Sequence, residues 1–300
     1  MKKMDNKNEK VFASCHNHSC YSDAAYSPEK LVELAHGLGH GGIILTDHDT
    51  SSGNYFINKA ARKVGMKSIF GCEFSAKGFH ILGFDFNPDN KNMKELLEYC
   101  SSIQTSRSEI LFKWGLERGT LRAGCTWQDV RDDFPYNDYI CCEQIFVSML
   151  KRGIYTDAEY NEFRMPNFSY TLGLEDKVRE ITKRTYLNPE RVIKTILEAG
   201  GVPVLAHPHK LSAHVNEFLN MGIKGFECYH PLLCEKITGV AGEFEFYKEL
   251  CEEKGLYKTG GSDHHGVLGG NLEHGDYEVP DFYSGISEED FMNLYERKLG

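Results

Sequence analysis

Histidines and carboxylates recur along this sequence near the ends of short apolar runs, where they could form a metal site. His16 and His18 are separated by one residue, so on a strand both imidazoles point to one side and can reach one cation. The same spacing returns at Asp263 and His265. The remaining side chains of this kind are Asp23, His48, Glu73, His80 and His207. Burying nine ionisable groups without a cation would be costly, so we expect them to converge on metal.

The mixture of ligand types indicates which metals and which reaction to expect. Imidazole suits zinc, iron and manganese, while carboxylates add oxygen ligands and can bridge two ions. Three or more cations would fit this set, with Glu73 as the natural bridge. A metal cluster lowers the pKa of bound water and stabilises both the attacking and the leaving oxygen. The residues therefore predict a hydrolase that acts on an anionic ester.

The elements that must position these side chains are short strands alternating with helices. In residues 11–88, and again from residue 189 onward, apolar runs such as 43–46 and 202–206 alternate with helical patterns. This alternation is typical of parallel β/α units, and barrel-type α/β enzymes place their sites at strand ends. Between the two stretches, a long helical pattern from Met93 to Glu117 is followed by shorter ones. We predict a discontinuous barrel domain, residues 11–90 and 189–290, interrupted by a helical insertion at 91–188.

Composition narrows the class of partner. The chain has 34 basic and 44 acidic residues, a net charge of −10, which disfavours long nucleic acid and anionic membranes as partners. A small phosphorylated substrate remains compatible if metal supplies positive charge. No apolar run approaches the roughly 20 residues of a membrane span, and no apolar stretch follows the basic N-terminus. The ten cysteines include no C-x-x-C pair, so we expect reduced thiols and a cytoplasmic location.

Six segments together resemble the ordered motifs of the PHP (polymerase and histidinol phosphatase) family: HNHSCYSD, LTDHDTSSG, GCEFS, FHILGF, LAHP and GGSDHHG. The resemblance covers about residues 11–88 and 189–265. It implies a distorted (β/α)7 barrel, phosphoesterase activity and a trinuclear metal centre. The helical insert after FHILGF makes the chain look most like the branch that removes the 3′-phosphate from nucleoside 3′,5′-bisphosphates. Some members of that branch also trim short RNA from the 5′ end.

The resemblance also implies roles for individual residues. His16, His18, Glu73 and Asp263 would hold a first metal ion; Glu73, His80 and His207 a second; and Asp23, His48 and His265 a third. A hydroxide bridging the first two ions would attack phosphorus in line with the leaving alkoxide. His230 matches a family histidine near the phosphate, so Glu73 and His230 are the predicted catalytic residues. For His230, phosphate binding, general acid catalysis and orientation of a ligand all stay open.

Other positions depart from the family pattern or are predicted to support it. Asp47, Asp49 and Glu227 are expected to orient histidine N–H groups. The branch carries an Arg-Pro-His stretch in the insert, where this chain reads YICCEQ at 139–144. Relatives often have Gly-Arg after AHP, where this chain has His209 and Lys210. Arg107 and Lys210 are candidate replacement contacts for an anionic substrate, and a solvated surface role is the alternative for each.

The leading hypothesis is a metal-dependent phosphatase for a small phosphomonoester, such as a nucleoside 3′,5′-bisphosphate, with a side activity on short oligonucleotides. A histidinol-phosphate-type phosphatase is the nearest alternative. Two further alternatives are an amidohydrolase-like metal hydrolase and a non-catalytic PHP module of a polymerase. Amidohydrolases often use a carboxylated lysine, whereas no lysine stands at a predicted strand end. Non-catalytic modules often lose ligands, whereas all nine are present. The sequence leaves the oligomeric state open.

Overall fold

The structure is a computed structural model that describes residues 11–169, 172–268, 271–272 and 284–299. Part of the predicted second barrel segment, residues 269–270 and 273–283, lies outside the described residues. In the part that is described, none of the helices combines the length and apolar character that a membrane span requires.

The strands form one larger sheet and two small ones. The first small sheet pairs β1 (Ala13–Ser14) in parallel with β2 (Gly42–Ile43). The five-stranded sheet has the order β3 (Gly71–Ala76), β4 (Phe79–Phe84), β5 (Val202–Leu205), β6 (Gly225–Tyr229) and β7 (Tyr257–Gly260). The second small sheet pairs β8 (Val267–Leu268) with β9 (Asn271–Leu272).

The mixed α/β class agrees with the sequence prediction. The expected parallel direction is wrong for one strand, and closure into a (β/α)7 barrel is not confirmed. Strand β4 runs antiparallel to both β3 and β5, because only Lys77 and Gly78 separate β3 from β4 and such a short turn requires a hairpin. Within the described residues, continuous strand pairing does not close the ladder, since the small β1–β2 sheet is separate from the large one. Single backbone bridges, Asn17 to His264 and His48 to Glu73, connect them instead.

The helices are α1 (Pro28–Gly37), α2 (Asn54–Lys63), α3 (Lys91–Glu117), α4 (Trp127–Asp133), α5 (Cys142–Lys151), α6 (Tyr160–Phe168), α7 (Glu175–Thr182), α8 (Pro189–Glu198), α9 (Val215–Met221), α10 (Glu235–Thr238), α11 (Glu243–Lys254) and α12 (Glu288–Tyr295). Local sequence explains several of their starts. Ser27 caps α1 by accepting a hydrogen bond from the Lys30 N–H, and Asn188 caps α8 in the same way. A proline follows each cap, at the first helical position.

Apolar burial is organised in separate cores. The largest core packs the five-stranded sheet against α8 and other helices, with Phe74, Leu82 and Phe226 fully buried. A second core lies within the helical segment and includes Phe112, Phe146 and Phe163. Helix α3 takes part in both cores, because residues of its first half belong to the sheet core and residues of its second half to the helical core.

Candidate metal centre

The ends of the strands bring the candidate ligands to one place. His16 and His18 follow β1, His48 follows β2, and His207 follows β5; Asp263 and His265 follow β7, and Glu73 and His80 lie within β3 and β4. The backbone packs closely here. A Cβ added at Gly261 would lie 2.5 Å from the His16 backbone nitrogen, so only glycine allows the segment after β7 to approach His16.

One group of side chains meets at Glu73 Oε2 and Asp263 Oδ1. His16 Nε2 lies 3.0 Å from Glu73 and 3.2 Å from Asp263. His18 Nε2 lies 3.2 Å and 2.9 Å from the same two oxygens. Both histidines are fully buried. These four residues are the set predicted from the sequence to hold the first ion.

Glu73 presents its second oxygen to a different pair of histidines. Its Oε1 lies 2.9 Å from His80 Nδ1 and 3.0 Å from His207 Nε2. The carboxylate is therefore shared between two sets of imidazoles, one on each oxygen. A carboxylate in that position could bridge two metal ions.

A further group surrounds Asp23. Its Oδ1 lies 3.3 Å from His265 Nε2, and its Oδ2 lies 3.6 Å from His48 Nε2. The Nδ1–H of His265 donates to the Asp263 carbonyl oxygen at 2.7 Å, which directs Nε2 toward Asp23. The structure thus brings together all nine side chains that the sequence singled out, in three adjoining groups.

Several buried nitrogen and oxygen atoms of the donor set have no hydrogen-bond partner among the described residues, which fits a site that binds metal ions. His18 Nε2 makes short contacts with two carboxylates, but these contacts lack hydrogen-bond geometry. Four more buried atoms have no hydrogen-bond partner among the described residues: His18 Nδ1, Asp23 Oδ1, His48 Nδ1 and Asp263 Oδ1. Buried polar atoms are rarely left unpaired. Atoms that face a common point rather than one another are typical of a ligand set.

Charges within the cluster are strongly coupled. Burial raises the pKa of Glu73, but the surrounding histidines outweigh burial and hold that pKa well below its usual value. Burial lowers the pKa of His265, but the Asp23 carboxylate outweighs it, and the pKa rises to about 10. For His48 burial dominates and lowers the pKa to about 4. The cluster therefore binds protons in the absence of metal.

Glu227, at the centre of β6, orients two of the candidate ligands as predicted for it. The Nδ1–H of His16 donates to Glu227 Oε1 at 2.9 Å, which leaves Nε2 directed at the cluster. The backbone N–H of His207 donates to Glu227 Oε2 at 2.7 Å. Carboxylates that bind the second nitrogen of a ligating imidazole are a common feature of metal sites.

His230 is held as a single neutral tautomer. The Leu232 backbone N–H donates to His230 Nδ1 at 3.1 Å, so Nδ1 is an acceptor and the ring proton is assigned to Nε2. Burial lowers the pKa of His230 to about 4. His16, Glu227 and His230 lie close enough together to suggest another ion site. However, Nε2 carries the ring proton and both Glu227 oxygens are engaged, so these three do not form one.

The predicted role of Asp47 and Asp49 is corrected by the structure. Asp47 accepts hydrogen bonds from the Ser19 N–H and from the hydroxyls of Ser19 and Ser22, each at 2.7 Å. Asp49 accepts from the Ser75 N–H at 2.8 Å. Among the described residues, these two carboxylates therefore bind turn and strand groups rather than histidine rings. Asp47 fixes the turn that leads to Asp23.

The sequence did not predict the contribution of residues 137–144, which lie in the connection between α4 and α5 and in the first turn of α5. The Tyr139 ring stacks on His48 with 6.5 Å between centroids. Asn137 and Gln144 donate hydrogen bonds to carbonyls of the turn before Asp23. In the sequence, these positions stood out only as a departure from the family pattern. No local signal connects them with residues more than 100 positions earlier.

The two predicted anion contacts have different surroundings. Arg107 is buried within the helical segment, where it pairs with Glu175 at 2.6 Å and donates to the Phe168 carbonyl oxygen. This corrects its expected role, because a buried and paired guanidinium does not face a substrate. Lys210 is exposed, and its backbone N–H donates to Glu243 at 2.6 Å.

A cleft gives access to the cluster on one side. It has a volume of about 310 Å³ and is lined by Ser75, Ala76, Gly78, Phe79, His80, Tyr186 and His207. The side chains of His80 and His207 are 37% and 24% exposed, whereas those of His16 and His18 are fully buried. A substrate would therefore reach the cluster from the side of His80 and His207.

Comparisons with known proteins agree with this geometry. The PHP domain profile matches residues 14–134. A phosphoribosyl 1,2-cyclic phosphate 1,2-diphosphodiesterase from Eggerthella lenta is 27% identical over 275 residues, 88% of this chain and 98% of the relative. A 5′-3′ exoribonuclease from Haemophilus influenzae is 35% identical over 97 residues, but these are only 31% of this chain and 35% of the relative.

A solved structure shares the fold. The crystal structure of a candidate metal-dependent phosphoesterase from Bifidobacterium adolescentis superposes with a TM-score of 0.70 at 22% identity. The superposition covers 95% of this chain and 96% of that one. The likeness extends beyond the matched domain to nearly the whole chain.

Proposed function

We propose that this chain, whose residues 14–134 match the PHP domain profile, is a metal-dependent phosphoesterase that hydrolyses a small phosphomonoester at a centre of three divalent ions. The observation that carries the proposal is the convergence of nine histidine and carboxylate side chains around Glu73 and Asp23, several with buried atoms that lack hydrogen-bond partners. A nucleoside 3′,5′-bisphosphate is the proposed substrate type.

The proposed ligand sets are those predicted from the sequence. The first consists of His16, His18, Glu73 and Asp263; the second of Glu73, His80 and His207; and the third of Asp23, His48 and His265. Divalent ions such as manganese, iron or zinc would lower the pKa of water and stabilise charge on the phosphoryl oxygens. Glu73 keeps two sets at a fixed separation, and Glu227 keeps His16 and His207 correctly oriented.

His230 is proposed to bind the phosphoryl group. Its Nε2–H is buried beside the cluster, 4.0 Å from Asp263 Oδ2, and has no hydrogen-bond partner among the described residues. A fixed N–H donor in a water-poor site stabilises an anionic oxygen without reorganisation. The neutral tautomer disfavours general acid catalysis by an imidazolium, since protonating Nδ1 would set two N–H groups against each other. Lys210, exposed on the loop after His207, remains a candidate anion contact.

The shape and charge of the site favour small substrates. The cleft of about 310 Å³ at His80 and His207 has room for one small ligand. The chain's net charge of −10 opposes binding of a long polyanion. A second candidate function is hydrolysis of a cyclic phosphodiester, because the Eggerthella relative that acts on phosphoribosyl 1,2-cyclic phosphate aligns along 98% of its length.

A substrate panel with the manganese-loaded protein tests both candidates. It would contain adenosine 3′,5′-bisphosphate, histidinol phosphate, phosphoribosyl 1,2-cyclic phosphate and a short 5′-phosphorylated oligonucleotide, with products separated by chromatography. We expect phosphate release to be fastest from the bisphosphate, and Glu73→Gln to lose at least 100-fold in kcat/KM while remaining folded. Turnover of the cyclic diester alone would favour the second candidate. Absence of turnover on the whole panel would contradict the phosphoesterase proposal.

A further inference from the structure

The turn that carries Asp23 is held from two sides by different parts of the chain. Within the turn, the Ser22 N–H donates to the Ser19 carbonyl oxygen at 2.9 Å. On the side of the strands, Asp47 accepts from both serines of this turn. On the other side lies the segment from Asn137 to Gln144, which the helical part of the chain contributes.

Gln144 makes the central contact on that second side. Its Oε1 accepts the Cys141 N–H at 2.9 Å, which fixes the orientation of the amide. Its Nε2 then donates to the carbonyls of Ser22 and Cys20, the latter at 3.2 Å. The side chain is 2% exposed, so solvent cannot replace these bonds. Asn137 donates a further bond to the Cys20 carbonyl at 2.7 Å.

The contact with Ser22 acts directly on Asp23. The Ser22 carbonyl belongs to the same planar peptide unit as the Asp23 nitrogen. A hydrogen bond to this carbonyl therefore fixes the position of the Asp23 backbone nitrogen. Asp23 lies among His18, His48 and His265, and together with His48 and His265 it makes up the set proposed for the third ion. Tyr139, from the same connecting segment, stacks on His48 and so supports a second member of that group.

From this arrangement we propose that Gln144 is a positioning residue for Asp23 and thereby sets the affinity of the third metal site. The inference rests on the proposed ligand role of Asp23. It makes the helical segment part of the metal centre, although that segment supplies none of the nine proposed ligands.

Manganese binding to the purified full chain tests the proposal by equilibrium dialysis, without any substrate. Gln144→Met keeps the size of the side chain but removes both donated bonds. We expect it to weaken, about 10-fold or more, the binding of the same ion that Asp23→Asn weakens, and to leave the other ions unchanged. Gln104→Met is the matched control, because Gln104 is also buried, on α3, and among the described residues its side chain bonds to Ser108 alone. Asn137→Ala provides a second variant with the same expected direction.

A comparison with Asp23→Asn identifies the route of the effect. If Gln144 acts through Asp23, the double variant should bind manganese no more weakly than Asp23→Asn alone. Additive losses would indicate a general structural role and overturn the proposal. Unchanged binding in both Gln144→Met and Asn137→Ala would also overturn it while the ligand role of Asp23 stands. Unchanged manganese binding in Asp23→Asn would show that Asp23 is not a ligand, and would overturn this inference as well.

Discussion

At the scale of single residues, the chemistry depends on side chains whose second polar atom is already occupied. His16 uses Nδ1 for Glu227, His265 uses Nδ1 for a backbone carbonyl, and His230 uses Nδ1 to accept an N–H. In the first two, Nε2 can bind metal once it has lost its proton, whereas in the third Nε2 is a hydrogen-bond donor. The sequence could predict which histidines converge, but not these tautomers, since the partners are distant carboxylates and local backbone groups.

The distinction gives a prediction for His230. We expect His230→Ala to lower kcat/KM on a phosphoester by about 100-fold, because one donor to the phosphoryl oxygens is lost. Metal content should equal that of the unaltered protein, and the two can be measured together by steady-state kinetics and elemental analysis. Loss of an ion from this variant would instead make His230 a ligand.

At the scale of elements, the loop after β5 is clamped at both ends. Glu227 holds the His207 N–H, while Glu243, the first residue of α11, accepts from the Lys210 N–H and from His209 Nδ1, both at 2.6 Å. The loop needs such support because His207 and Lys210 have positive φ angles of 27° and 60°. Helix α11 therefore supports the loop that carries His207, a proposed ligand.

Removing this clamp should affect both folding and activity. We expect Glu243→Ala to lower the free energy of unfolding by about 1–3 kcal/mol, because two donors lose a charged acceptor. Activity should fall about tenfold as His207 becomes less well positioned. Thermal melting and steady-state kinetics are the measurements, with Glu245→Ala as the control from the exposed side of the same helical turn. Full activity in Glu243→Ala would show that His207 does not depend on α11.

The helices could be predicted from the sequence more reliably than the pairing of the strands. Helices α1, α3 and α8 follow from their apolar spacing and caps, and the sequence indicates all three. The antiparallel placement of β4 depends on strand partners that lie far along the chain, such as β5 more than 100 residues later. Periodicity describes one segment at a time, so it could not decide between a closed parallel barrel and the mixed sheet.

At the scale of the whole molecule, the metal-free cluster balances its charge with protons. Burial raises the pKa values of the four carboxylates Asp23, Glu73, Glu227 and Asp263, but neighbouring histidines outweigh it and lower them. Burial lowers the pKa values of four histidines, but carboxylates outweigh it and raise them; these are His16, His18, His80 and His265. Metal ions would therefore replace protons.

This exchange predicts that metal binding releases protons and strengthens with pH. A raised pKa means that the histidine keeps its proton to higher pH without metal. His265, with a pKa of about 10, is protonated at pH 7 and must lose that proton to become a ligand. Affinity for manganese should therefore rise between pH 6 and pH 8. Calorimetric titrations in two buffers of different ionisation enthalpy would count the protons released. Binding that is independent of both pH and buffer would contradict the ligand roles of these histidines.

The continuity of α3 bears on how substrate enters. The helix has 27 residues, a length of about 40 Å, and its two halves are anchored in different cores by Met93 and Leu96 at one end and by Leu111 and Phe112 at the other. A swinging flap would have to bend this rod and break its internal hydrogen bonds. Admission of substrate is therefore expected to depend on small side-chain movements at the mouth, with the helical portion acting as a fixed wall.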